Sequence, residues 1–73
     1  MKARIDPRID GDKVEELRWR SGLTGTELAR RAEISRTHCV RIRKAGYDAS
    51  LAVQARLAKA LEVPVEEIQR SQA

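Results

Sequence analysis

Two helix-start signals stand at positions 24 and 35, and they confine the chain between them to one short helix and a tight turn. In Thr24-Gly25-Thr26-Glu27 a hydroxyl is followed three residues on by a carboxylate. In that pattern each side chain satisfies a backbone N–H at the other residue. Ser35 offers a second hydroxyl N-cap. The first of these two helices therefore stops near Ala32 and turns Leu28, Ala29 and Ala32 inward. The next turns Cys39 and Ile42 inward and sends Arg36, Thr37, Val40, Arg41 and Lys44 elsewhere, ending before Gly46. A small residue at Ala29 lets the two helices cross closely.

The flanking segments read as helices too. One is expected from Asp12, with Glu15 completing a capping box, Val14 and Leu17 on its buried face, and Gly22 as left-handed terminator. A fourth runs from about Ser50 to Leu61 with Leu51, Leu57, Ala58 and Leu61 as its inner stripe. A fifth, short one follows Val63, with Pro64 at its first position, Glu66 and Glu67 near its positive end, and Val65 and Ile68 inward. The expectation is an all-α, compact five-helix domain over residues 12–70. An N-terminal arm, 1–11, precedes it, from which Ile5 and Ile9 can pack back. A frayed tail, 71–73, follows.

With 73 residues there is room for one domain. Its 41% hydrophobic content is too high for a disordered chain, and with no Phe the core must come from Leu, Val, Ile and Ala. The single cysteine, Cys39, excludes an internal disulfide and reads as a small buried hydrophobe. Cys39 and His38 are helix neighbours that point apart, so no metal is expected, and no cofactor either. No apolar signal stretch or membrane span is visible, which predicts a soluble, cytoplasmic protein. One histidine and no converging nucleophile, base and orienting group argue against an enzyme.

The net charge of +4 is not evenly spread. Residues 35–47 hold Arg36, Arg41, Arg43 and Lys44 with no acid, while the other segments nearly cancel. A solvated face is the ordinary explanation of a charge run. Confinement to a single helix between neutral segments favours a polyanion partner. An ordinary helical bundle shares the apolar period of residues 25–42. The charge on the second helix and the caps at both starts favour the spacing of a DNA-binding helix-turn-helix.

Residues 12–70 resemble the phage repressor and Cro type of helix-turn-helix protein, the XRE family. The resemblance is carried by Leu17-Arg18, by Leu23-Thr24-Gly25-Thr26-Glu27-Leu28-Ala29, by Ile34-Ser35-Arg36-Thr37, and by the segment from Leu57 through Ala58-Lys59-Ala60-Leu61-Glu62-Val63-Pro64 to Val65. It implies a five-helix fold and binding to double-stranded DNA. The sequence departs from the family pattern in five places, one being the glycine after the third helix, which is shifted, as Ala45-Gly46. Gly25 stands where Gln is usual, Glu33 where the turn usually has Gly, and Gln54 where Leu is usual. Arg43 stands where a Glu usually pairs with the arginine at Arg18. Two like charges cannot form that bridge, so Arg43 is expected to turn toward solvent or DNA, and Arg18 to find Glu15 or Glu27.

In such a domain the third helix enters the major groove with its N-terminal residues nearest the bases. Arg36 is the leading base reader, since a guanidinium can hold guanine O6 and N7 together, with a phosphate contact as its alternative. Thr37 suits a base or a thymine methyl; Arg41 suits a base or a phosphate. Thr24, Gly25 and Thr26, at the start of the second helix, are backbone-contact candidates, as are Ser35 and Lys44. His38 is a backbone contact or an exposed spectator. Tyr47 has a hydroxyl that could reach phosphate, and Trp19 fits the core edge, a contact with Ile5 or Ile9, or a subunit interface. The function expected is a sequence-specific transcriptional regulator, a repressor acting by operator occupancy, that is a monomer or weak homodimer when free and pairs on DNA. An antitoxin that also binds a protein, and a pure protein-interaction module, are the alternatives.

Overall fold

Helices begin and end where nearby groups can satisfy their free backbone N–H and C=O groups. The computed structural model describes residues 8–45 and 49–70. It contains α1 (Gly11–Ser21), α2 (Gly25–Ala32), α3 (Arg36–Ala45) and α4 (Leu51–Leu61), followed by a one-turn 3-10 helix, Val65–Ile68. The expected fifth α-helix is thus a single tighter turn. Pro64 precedes it in extended conformation rather than forming its first residue. Ile5, Gly46, Tyr47 and the tail 71–73 lie outside the described residues.

The α2 capping box is present in full. Thr24 Oγ1 accepts from the Glu27 N–H at 3.0 Å, and the Thr24 N–H donates to Glu27 Oε1 at 2.9 Å. Those bonds also hold the Glu27 carboxyl below its ordinary pKa, the Thr24 backbone N–H contributing most. Ser35 Oγ accepts from the His38 N–H at 3.0 Å, and Ser50 caps α4. Gly22 ends α1 at φ 72°, as a residue without a Cβ readily does. Glu33 adopts the same left-handed conformation, φ 59°, without that freedom. Its N–H and that of Ile34 close the end of α2 on Arg30 and Ala29. The turn therefore keeps its shape, at a cost of about 1–2 kcal/mol for the non-glycine residue.

The start of α1 differs from the sequence expectation. Asp10, not Asp12, is the N-cap, accepting from the Asp12 and Lys13 N–H groups. The reason lies outside the helix. Ile9 is fully buried and bridges Gln69, while the Asp10 N–H donates to Ile68 O (2.8 Å) and the Arg70 N–H to Arg8 O (2.7 Å). Residues 8–10 are clamped onto the C-terminal segment, and that fixes which aspartate can cap.

The core joins Ile9, Val14, Leu28, Ile42, Leu57 and Ile68, all fully buried, with Cys39 among them. Ile34 and Leu17 are half-buried against it. On α4 the expected stripe holds at Leu57, Ala58 and Leu61 and fails at Leu51, which is exposed, while Gln54 is buried. Burial of an amide requires partners. Gln54 Nε2 donates to Ala49 O at 3.0 Å, and Gln54 Oε1 accepts from Gln69 Nε2 at 2.9 Å. Among the described residues no helix is long and apolar enough to cross a membrane.

Candidate nucleic-acid interface

α3 is amphipathic, and its two sides are separated by chemistry. Cys39 and Ile42 enter the core. Arg36, Thr37, Val40, Arg41 and Lys44 are exposed and recur at helical spacings of three and four, so they form one outward row. The first four line a shallow concavity of about 510 Å³. Thus Arg36, Thr37, Arg41 and Lys44 share one surface; His38 is half-buried at its margin. Thr24 and Thr26 are exposed at the start of α2, with Gly25 half-buried between them. The oxygens of Thr24 and Ser35 accept from capping N–H groups, yet each hydroxyl proton remains available to an anion, since a hydroxyl both donates and accepts.

Arg43 corrects the expectation that it would turn outward. It is 18% exposed and points toward α1, where Nη1 donates to Glu15 Oε1 at 2.7 Å. Arg18 takes the same carboxylate in a two-pronged grip, Nε to Oε1 at 3.1 Å and Nη2 to Oε2 at 2.5 Å. Its Nη1 donates to Leu23 O at 2.7 Å. Glu15, expected both to complete a helix cap and as a candidate partner of Arg18, completes no capping box but does hold Arg18, and is a hub between two arginines. Hydrogen bonds from Arg18 and then Arg43 hold its pKa down, from 4.5 to about 2. The bridge usual in the family is replaced, not lost: the acid has moved onto α1. The signal available in sequence was the spacing Glu15 to Arg18, three residues on one helix face.

Gly25 completes this arrangement. A Cβ placed there would meet Arg43 Nη2 at 2.6 Å. The glycine at the start of α2 and the arginine at the end of α3 are therefore two halves of one departure from the family pattern. Trp19 is 72% exposed and covers no core edge, with the Arg18 guanidinium 5.9 Å from its ring centre.

Residues 11–70 match the family described as "Helix-turn-helix domain". The chain belongs to that family. Its fold is similar to the restriction-modification controller protein C.AhdI from Aeromonas hydrophila, with TM-score 0.75 and 28% identity over 78% of this chain and 86% of that one. No curated protein matches. The likeness to the phage repressor and XRE type is borne out, and this helix-turn-helix domain is a DNA-binding module of transcription regulation.

Proposed function

We propose that the protein is a sequence-specific regulator that occupies an operator and blocks transcription, with α3 in the major groove. The observation that carries this is the outward row of α3: three cations, Arg36, Arg41 and Lys44, and no acid. Arg36 stands at the helix start, where a groove-bound helix comes nearest the bases, and is assigned guanine. Thr37 and Arg41 follow it as base readers. Lys44, Ser35, His38 and the start of α2 (Thr24, Gly25, Thr26) take phosphates, Thr24 through its hydroxyl and Gly25 and Thr26 through their N–H groups and the helix dipole. Similarity to a controller protein supports regulation over the antitoxin alternative, which would show itself as a co-purifying protein.

A single recognition helix reads too few base pairs for selectivity in a genome. Two domains on half-sites about 34 Å apart supply the rest. Among the described residues the large exposed apolar side chains, Trp19, Val40 and Leu51, lie on three different helices. That is poor material for the roughly 800 Å² per partner of a stable interface. The free protein is therefore assigned weak self-association, with pairing on DNA. The test is a duplex titration across salt concentrations: with about 4–6 phosphates contacted per domain, log K falls against log salt with a slope of about −4 to −5 per domain. A flat response overturns the DNA reading. A stable dimer at nanomolar concentration without DNA overturns the pairing scheme alone.

A further inference from the structure

Val40 is the apolar member of an otherwise polar outward row. It is 39% exposed and belongs neither to the core nor to the half-buried layer packed on it. A branched β-carbon restricts χ1 in a helix and lowers helix propensity, so an exposed helical position has no structural reason to prefer valine. The same restriction holds its two methyl groups in a fixed direction. They face the concavity shared with Arg36, Thr37 and Arg41.

We propose that Val40 is a specificity-determining residue that reads the 5-methyl group of a thymine. The proposal rests on the reading of α3 as the helix in the major groove. Base edges offer donors and acceptors there, and thymine's methyl is the apolar group among them. A side chain without donor or acceptor, placed amid groups that do have them, is complementary to that methyl and to none of the hydrogen-bonding atoms of a base edge. Val40 lies one turn beyond Arg36, about 5–6 Å along the same face. At about 3.4 Å per base-pair step, the thymine falls within two steps of the base that Arg36 holds.

The test starts from the preferred duplex selected out of random sequence, in which each thymine is replaced singly by uracil. This removes the methyl and leaves every hydrogen-bonding atom. At one thymine per half-site, binding weakens about three- to fivefold, the effect of one buried methyl-sized group. In Val40→Ala the thymine and uracil duplexes bind alike, while Arg36→Ala weakens both and keeps the difference between them. Circular dichroism of Val40→Ala shows undiminished helix, since alanine is the better helix former. A protein that prefers its selected duplex yet is indifferent to every thymine methyl overturns the proposal and leaves the DNA reading intact. A uracil effect that persists undiminished in Val40→Ala overturns the assignment to this residue. Absence of any duplex binding overturns both.

Discussion

Arg41 and Arg43 are the same residue two positions apart on one helix, and they occupy opposite worlds. Arg41 is exposed on the outward row beside Arg36 and Thr37. Arg43 is turned in, bonded to Glu15 and lying over Gly25. Rotation by about 100° per residue puts neighbours two apart on opposing sides. The difference teaches that the basic block of residues 35–47 is not uniformly a DNA surface: one of its four cations serves the seam between α1 and α3. Net charge located the helix, but only the rotation of each position about the axis separates binding from structure.

The largest test of that division is on the buried side. Ile42 is fully buried, and Ile42→Ala is expected to cost about 2–5 kcal/mol of folding stability. A domain of this size has only about 4–11 kcal/mol in total, so DNA binding falls with the fold. Urea unfolding followed by circular dichroism measures it. On the outward side the pattern inverts. Arg41→Ala leaves the unfolding free energy within about 0.5 kcal/mol of wild type. Its loss appears in duplex affinity instead, about 1–3 kcal/mol if the contact is to a base. Should Arg41→Ala destabilise the fold as much as Ile42→Ala, the two sides of α3 have been wrongly separated.

Replacing Glu15 sharpens the comparison by probing the seam itself. Removing one member of a fully buried pair costs about 3–5 kcal/mol. Glu15 keeps 36% of its side chain in solvent. The expected cost of Glu15→Gln is therefore smaller, about 1–2 kcal/mol near neutral pH, after allowing for solvent screening. The pH dependence gives a sign. The folded pKa is depressed from 4.5 to about 2, so the stabilisation is fully present above pH 4.5 and is lost as pH falls toward 2. Wild type should lose stability through that window more steeply than Glu15→Gln, with Glu27 accounting for part of what remains. Equal acid slopes in the two proteins would remove Glu15 from its role as hub.

The features legible in sequence share a cause: they are local. The Thr24–Glu27 box, Gly22 as terminator, Ser35 as cap and the outward row of α3 each depend on residues within a turn or two of one another. What the sequence misassigned depends on distant partners. Gln54 is buried because Gln69, fifteen residues on, meets its amide. Asp10 caps because Ile68 and Arg70 hold residues 8–10 in place. Arg43 turns inward because Glu15, twenty-eight residues earlier, waits on α1. In the site, exposure of Arg36, Thr37, Arg41 and Lys44 followed from helical period. The inward course of Arg43 did not, because a charge count has no memory of direction.

The smallest effect is the most specific, because it tests whether Gly25 and Arg43 are one feature. Alanine is a better helix former than glycine by up to about 1 kcal/mol, less in the first turn, so Gly25→Ala alone would be expected to stabilise. In the wild-type protein that gain is opposed, since the new Cβ would stand 2.6 Å from Arg43 Nη2 and the guanidinium must shift against its bond to Glu15. Arg43→Ala on its own should cost only about 1 kcal/mol: Arg18 still holds Glu15, and the Arg43 Nε–H, buried with no acceptor, is no longer desolvated. In the double variant the collision is gone, and Gly25→Ala should recover its helix-forming gain of a few tenths of a kcal/mol. The signature is a non-additive cycle, with a coupling of about 0.5–1 kcal/mol measured by urea unfolding of all four proteins. Additivity would mean that Arg43 swings aside without loss, and that the seam between α1 and α3 rests on Arg18 and Glu15 alone.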